Sequence, residues 1–148
     1  MTEVDDYVLA AADILDHQRH PDPDMREFLR MSADGRLRFQ HCLRCGYVRF
    51  PAAPVCPECL SEEAEWRLDA GTATIWSYCV YHRAFSPSFR QLVPYTVCLV
   101  ELDSGPRLIT NPVGVAPSGV HIGQRGVVMP VRAGELSMPY FMPERDRE

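Results

Sequence analysis

The stretches Cys42-Leu43-Arg44-Cys45 and Cys56-Pro57-Glu58-Cys59 decide the fold of this 148-residue chain. Each contains two cysteines separated by two residues, and a spacer of ten residues joins the stretches. Two such pairs on tight turns can bring four thiolates to about 2.3 Å from one tetrahedral Zn²⁺. The pattern therefore predicts a zinc ribbon with one structural Zn²⁺ per chain, bound by Cys42, Cys45, Cys56 and Cys59.

Two other interpretations of these cysteines stay open. Disulfide bonds are disfavoured, because the acidic N-terminus lacks a secretory signal and we expect a reducing, cytoplasmic location. Iron in the same sulfur cage would make the chain an electron carrier, and the spacing does not distinguish iron from zinc. A zinc ion with four protein ligands has no position open for water or substrate, so we expect a structural site.

Composition and charge narrow the classes of function. The chain is 46% hydrophobic and 24% charged, and it has no apolar run near the ~20 residues of a membrane helix. All 15 basic residues are arginine, which excludes mechanisms that need a lysine. The net charge is −5. Residues 36–60 carry a surplus of positive charge, but four thiolates and one Zn²⁺ offset most of it, and this disfavours nucleic acid as the partner.

The segments around the cysteines predict a mainly β chain with N-terminal helices. Apolar residues recur at helical spacing over 4–15, and a second helix is expected from Asp24, in a capping box with Glu27, to Gly35. Beyond residue 70, short β-rich segments suit a small barrel. The predicted barrel strands are 72–81, 95–102, 107–115, 127–131 and 136–143. The expected division is a helical arm over 1–35, a zinc ribbon over 36–68, a barrel over 69–143 and a charged tail over 144–148.

This order of elements resembles a known family, the rubredoxin-like zinc-ribbon plus OB-fold proteins, formerly a domain of unknown function, that accompany acyl-CoA enzymes. The resemblance covers roughly residues 21–143. Besides the cysteines it rests on Pro21-Asp22-Pro23-Asp24, Phe28, Gly35-Arg36-Leu37-Arg38-Phe39-Gln40, Phe50-Pro51, Thr74-Ile75-Trp76-Ser77-Tyr78, His82-Arg83, Val93-Pro94-Tyr95, the stretch 100–108 and Ile122-Gly123.

The resemblance implies a rubredoxin-like ribbon, a C-terminal OB-fold barrel and a role without catalysis. It implies an accessory subunit that binds a thiolase-like (condensing or retro-aldol) enzyme or an enoyl-CoA hydratase and helps to form the acyl-CoA channel. The sequence departs from the family in its extra residues 1–20. Gly126 stands where a β-branched residue is usual, and Met129-Pro130 is expected to interrupt the last part of the barrel.

The loop over 82–93 carries the candidate contacts with a partner or an acyl-CoA. In the functional interpretation its arginines bind CoA phosphates and its phenylalanines contact the pantetheine or acyl chain. In the alternative interpretation it is a solvated loop whose phenylalanines cover the barrel end. The candidate residues are Arg83, Phe85, Phe89 and Arg90, with His82 beside them.

Four other groups have both a functional and a structural interpretation. The ribbon arginines can bind CoA phosphates, although alternating arginines are more typical of exposed faces. The barrel aromatics can stack on bases, although packing is the stronger expectation. Cys79 and Cys98 are expected to be small buried hydrophobes, and His41 is not expected to bind the metal. The ribbon arginines are Arg36, Arg38, Arg44 and Arg49, and the barrel aromatics are Trp76, Tyr78, Tyr81 and Tyr95.

The second helix is expected to present Met25, Phe28, Leu29 and Met31 partly to a partner enzyme, because a small ribbon offers little core. Packing across the junction of ribbon and barrel is the alternative. Two further classes of function stay open beside the accessory subunit. One is a single-stranded nucleic-acid-binding OB-fold protein, and the other is a rubredoxin-like electron carrier.

Overall fold

A computed structural model describes residue 7, residues 22–133 and residues 136–145. Its helix α1 covers Pro23–Met31, and the helix predicted over 4–15 lies outside the described residues except for Tyr7. A first sheet contains β1 (Arg38–Cys42), β2 (Val48–Arg49) and β3 (Ala64–Leu68). A second sheet contains β4 (Thr72–Tyr81), β5 (Tyr95–Leu102), β6 (Arg107–Thr110), β7 (Arg125–Ala133) and β8 (Leu136–Pro143). The mainly β fold class is confirmed.

Helix α1 begins two residues earlier than the capping box predicts. The Asp22 carboxylate accepts hydrogen bonds from the N–H groups of Asp24 (2.8 Å) and Met25 (3.3 Å), and proline occupies the first helical position, where its fixed φ suits a helix start. Glu27 does not complete a capping box, because its carboxylate instead pairs with Arg30 at 2.5 Å.

Most of the apolar face of α1 packs inside the chain, so the expectation of a contact with a partner is wrong for Phe28 and Leu29, whereas Met25 and Met31 are half-buried. Phe28 is 2% exposed and lies 5.2 Å from Phe50 and 6.4 Å from Trp66 between ring centroids. The reason is that the ribbon completes its core with this helical aromatic. The buried cluster around Phe28 extends without interruption into the barrel, so α1 joins the two sheets.

Backbone and side-chain bonds tie the elements into one curled structure. The strand order is β2-β1-β3 in the ribbon and β6-β5-β4-β7-β8 in the barrel. The strand predicted over 107–115 stops at Thr110, because the chain that follows pairs with β8 instead. There, Phe141 N–H donates to Asn111 O (3.1 Å) and Val113 N–H donates to Phe141 O (2.9 Å). A buried hydroxyl bond from Ser137 to Ser32 O (3.0 Å) joins β8 to the turn after α1.

Strand β7 passes through Pro130 without interruption, which corrects the expectation from the sequence. Val128 N–H donates to Gly71 O on the β4 side, so it points away from β8. Pro130 lies two residues further along and has the same orientation, so its missing N–H removes no bond of the β7–β8 ladder. Gly126 is needed for a close approach, since a Cβ there would lie 2.4 Å from Met142 O.

The two isolated cysteines differ in burial. Cys98 is fully buried in the barrel core, as predicted, but Cys79 is exposed, and the expectation that it is buried is wrong. A register irregularity between Ile75 and Ser77 divides β4, and only its first part pairs with β7 as well as β5. The residues of β4 beyond that irregularity therefore pair with β5 but not with β7. In the described part of the chain, no helix is long and apolar enough to cross a membrane.

Truncation of the helix–ribbon contact gives a direct test of this packing. Phe28→Ala is expected to reduce the free energy of unfolding by about 3–5 kcal/mol, because it leaves a cavity in the shared core. Phe85→Ala is the matched control, since the Phe85 side chain is 77% exposed and its loss should change stability by less than about 0.5 kcal/mol. Chemical denaturation measures both values. Equal small losses would contradict a core at this junction.

Candidate functional site

The four paired cysteines lie on two turns with the same hydrogen-bond pattern. In the first turn, Gly46 N–H donates to Cys42 O (3.0 Å) and Cys42 N–H donates to Tyr47 O (2.9 Å). In the second turn, Leu60 N–H donates to Cys56 O and Cys56 N–H donates to Ser61 O, both at 2.9 Å. Both turns need a left-handed residue, at φ 79° for Gly46 and φ 63° for Leu60.

The turns bring the four sulfurs together in a geometry that fits a metal ion. All four Sγ atoms lie within 4.8 Å of one another. Cys42 Sγ is 3.5 Å from Cys59 Sγ, and Cys45 Sγ is 3.6 Å from Cys56 Sγ. A tetrahedron with metal–sulfur bonds of about 2.3 Å has sulfur–sulfur edges of about 3.8 Å. The predicted ligand set therefore converges, and four soft thiolates fit a structural metal site.

Backbone N–H groups around the cluster stabilise thiolate charge. The N–H of Cys45, with that of Arg44, lowers the pKa of Cys42 to about 6. At Cys56, burial opposes ionisation, but the N–H groups of Cys59 and Glu58 lower its pKa overall. Donors that point at sulfur are what a buried tetrathiolate needs around it. At Cys45 the N–H of Tyr47 favours the thiolate, but burial and the neighbouring cysteines raise the pKa overall to about 12. The backbone therefore prepares Cys42 and Cys56 for negative charge, and a bound metal is needed to hold all four thiolates.

His41 is separate from this cluster. It precedes Cys42 on β1, so its side chain lies on the other face of the strand. In the strand pairing, His41 is opposite Val48 of β2 and Glu65 of β3. Burial lowers the pKa of His41, which favours a neutral imidazole. The expectation that it does not bind the metal agrees with this placement.

The ribbon arginines do not form one exposed face. Arg38 donates to Asp34 at 2.6 Å and to a helix carbonyl, and this pairing lowers the pKa of Asp34 to about 2. Arg49 is buried and donates to Ala53 O at 3.0 Å. Arg49 therefore braces the ribbon from inside, and the half-buried Arg38 ties β1 to the turn after α1; alternation in the sequence predicts neither role. Two members of the group remain exposed, Arg36 and Arg44.

The two phenylalanines of the loop over 82–93 differ in exposure. Phe89 is half-buried in a 3-10 turn, with its ring centroid 5.2 Å from that of Tyr95, so it covers the barrel end. Phe85 is 77% exposed and touches only the edge of this aromatic cluster through Tyr81, at 5.7 Å. Arg83 and Arg90, which precede and follow Phe85 in the sequence, are also exposed.

A cavity of about 450 Å³ adjoins the end of this loop, and sequence reasoning missed it. It lies between the start of β5 and the segment after β6. Thr96 contributes a buried hydroxyl that has no hydrogen-bond partner among the described residues. No sequence signal marks it, because loops distant in the chain supply its walls. The other lining residues include Gln91, Leu92, Tyr95, Pro112 and Val115.

The barrel aromatics divide between core and surface. Tyr95 is buried, and Tyr81 packs on it with ring centroids 5.3 Å apart. Trp76 is about half exposed, and the Arg107 guanidinium lies 3.9 Å from its ring centroid. Tyr78 is also exposed. Packing therefore explains Tyr81 and Tyr95, whereas Trp76 and Tyr78 form an exposed aromatic surface on β4.

The fold and the cysteine cluster define a protein with a zinc-ribbon domain followed by an OB-fold. Two family models match, "ChsH2, rubredoxin-like zinc ribbon domain" over residues 33–65 and "ChsH2, C-terminal OB-fold domain" over residues 66–133. A solved chain described as "Ltp2-ChsH2(DUF35) aldolase" is 37% identical with a TM-score of 0.74, covering 82% of this chain and 95% of that chain. The chain belongs to the ChsH2 (DUF35) family, and the resemblance inferred from the sequence is confirmed.

Two curated relatives come from different organisms, and the first of them is a longer chain than this one. The "Probable enoyl-CoA hydratase alpha subunit" of Thermomonospora curvata is 41% identical over 114 residues, which are 76% of this chain and 35% of that protein. A "DUF35 domain-containing scaffold protein" of Methanothermobacter thermautotrophicus is 36% identical over 83 residues, 55% of this chain and 62% of that protein. This chain thus spans about a third of the first relative and less than two thirds of the second.

Removal of one sulfur tests the metal centre. Cys56→Ser is expected to abolish stoichiometric metal binding and to unfold the ribbon, because structural zinc contributes roughly 10–16 kcal/mol in isolated fingers. Cys79→Ser is the control, since Cys79 is exposed and lies outside the cluster. Elemental analysis gives the metal content and amide hydrogen exchange reports on the ribbon. Full metal content in Cys56→Ser would refute the four-cysteine site.

Proposed function

We propose that this protein is a non-catalytic accessory subunit of an acyl-CoA-processing complex. In this proposal its ribbon holds one structural Zn²⁺, and it binds a thiolase-like or hydratase enzyme in the cytoplasm and helps to form the acyl-CoA channel. The observation that carries the proposal is the loop over 82–93, in which an exposed phenylalanine stands in the sequence between two exposed arginines. The names of the relatives, an aldolase complex, a hydratase subunit and a scaffold protein, support the same class of role.

The chemistry of this loop suits an acyl-CoA shared with a partner. CoA carries phosphate groups, which arginine binds through paired N–H donors, and a pantetheine arm, which packs on apolar surface. Arg83 and Arg90 supply the first kind of contact and Phe85 the second. A solvent-facing phenylalanine is also the kind of side chain that becomes buried at a protein interface.

The absence of catalysis in the proposal rests on the metal centre and on the relatives. All four positions of a tetrahedral ion would be taken by cysteine sulfur, which leaves none for a reacting water or carbonyl. A relative is named as a scaffold protein, although another, more than twice as long as this chain, is named as a hydratase subunit. We therefore assign the chemistry of the complex to the partner chain.

The Trp76–Arg107 pair favours a second candidate, binding of single-stranded nucleic acid on the barrel strands. Stacking of bases on an exposed tryptophan beside an arginine is a common mode of such binding. The net charge of −5 opposes it, because phosphate contacts need a surplus of positive charge. Salt-sensitive binding of an oligonucleotide that is lost in Trp76→Ala would favour this candidate over the accessory subunit.

Loop variants test the accessory role in a reconstituted complex. The partner is first identified by co-purification and must be a thiolase-like or hydratase enzyme. Phe85→Ala, and separately Arg83→Ala with Arg90→Ala, are expected to weaken the complex about tenfold or to raise the KM for acyl-CoA, because each removes about 1–2 kcal/mol of contact. Calorimetry and steady-state kinetics measure these effects.

The matched control replaces Arg36 and Arg44 by alanine, because both are exposed on the ribbon and lie outside the loop. This variant should keep the affinity of the unmodified chain. A partner enzyme that is equally stable and active without this protein would overturn the accessory role. Metal analysis of the same preparations settles zinc against iron, since an iron tetrathiolate is coloured and a zinc one is not.

A further inference from the structure

The ribbon buries one arginine that has no carboxylate partner. Arg49 is 2% exposed and lies on β2, shortly after the first cysteine turn. Its Nη1 donates to Ala53 O at 3.0 Å, whereas its Nε and Nη2 are buried and have no partner in the part of the chain that the structure describes. None of the ion pairs found among the described residues includes it. A guanidinium stays protonated in proteins, so a full positive charge is removed from water with one hydrogen bond to stabilise it.

Arg49 lies next to the two cysteine turns. It opposes Gln40 in the β1–β2 register, and Cys42 follows two residues later on the same face of β1. Such diagonal neighbours are about 7–8 Å apart, which a long side chain can span. Ala53, the residue that Arg49 holds, is three residues before Cys56, and its N–H donates to Gln40 Oε1 at 2.9 Å. Arg49 and Gln40 thus clamp the peptide that leads to the second turn.

The charges of the ribbon explain why a buried cation is tolerated there. Four thiolates and one divalent ion carry two net negative charges, which are costly to withdraw from water. A buried cation and a buried anion each lower the cost of the other. The Nε and Nη2 atoms have no solvent exposure, so a phosphate from outside does not reach them. The first cysteine turn precedes Arg49 in the chain and the second follows Ala53, so the sulfur cluster is the candidate source of negative charge for this guanidinium.

We propose that Arg49 is the internal counter-charge of the metal–thiolate centre. It stabilises the dianionic, metal-bound ribbon relative to the metal-free ribbon and so raises the affinity for the metal. This inference rests on the metal site of the proposed function and does not depend on the partner enzyme. Arg49 touches no substrate and acts as a positioning residue, through its charge and through Ala53.

Three variants of the full chain separate the charge of Arg49 from its role as a clamp. Arg49→Met removes the charge and keeps most of the volume, and Arg49→Lys keeps the charge. Gln40→Glu keeps the acceptor for Ala53 N–H but places a carboxylate opposite Arg49, which neutralises it. The readouts are zinc affinity, by competition with a chelator, and the reduction potential of the iron-loaded protein.

Loss of the counter-charge should weaken zinc binding about tenfold or more in Arg49→Met and in Gln40→Glu, in the range typical of outer-shell changes. The reduction potential should become more negative in both variants, because the added electron raises the negative charge of the centre. Arg49→Lys should remain close to the unmodified chain in both measurements. If Arg49→Met does not fold, Gln40→Glu and Arg49→Lys decide the question.

Unchanged affinity and potential in Gln40→Glu would overturn the proposal, and a loss confined to Arg49→Met would then identify a clamp without an electrostatic role. An unmodified chain that binds no metal would overturn the metal site of the proposed function as well. If the unmodified chain binds zinc and its Gln40→Glu variant binds it equally tightly, the metal site stands and only the proposed role of Arg49 fails.

Discussion

The convergence of four cysteine sulfurs within 4.8 Å is the contact on which the rest of the structure depends. Strands β1 to β3 are short, and a sheet of that size buries too little apolar surface to be stable alone. A metal bound at the sulfurs supplies free energy that such a sheet lacks, and it fixes the positions of both turns at once. The backbone N–H groups that lower the pKa of Cys42 and Cys56 belong to the same arrangement.

The ribbon is also joined to the barrel through α1. Phe28 contacts aromatic rings of the ribbon, and the same buried cluster continues to Phe141 at the centre of the barrel. The hydrogen bond from Ser137 to Ser32 O adds a polar connection between β8 and the turn after the helix. Because the two sheets share this core, we expect disturbance of the sulfur cluster to affect the packing of the barrel as well.

Local patterns in the sequence predicted the elements well, and contacts between distant segments explain the differences. The cysteine spacing, the β-rich segments and the helix predicted from Asp24 are local features, and the structure contains each of them, with the helix starting two residues earlier. The expected interruption at Pro130 is wrong, because a proline removes a bond of the sheet only where its nitrogen points at a neighbouring strand. The exposure of Cys79 follows from a register irregularity that composition does not record. The clamp of Arg49 on Ala53 and the cavity beside Thr96 likewise require knowledge of which loops meet.

The two cysteine turns have the same hydrogen bonds but not the same residue at the left-handed position. Gly46 adopts φ 79° without steric cost, whereas Leu60 adopts φ 63° with its side chain 76% exposed, at a cost of about 1 kcal/mol. The halves of the ribbon are therefore unequal in intrinsic stability. When chelation removes the ion, the turn around Leu60 releases more free energy by relaxing than the turn that β1 anchors. Unfolding of the ribbon should therefore begin at the second cysteine turn and proceed toward the first.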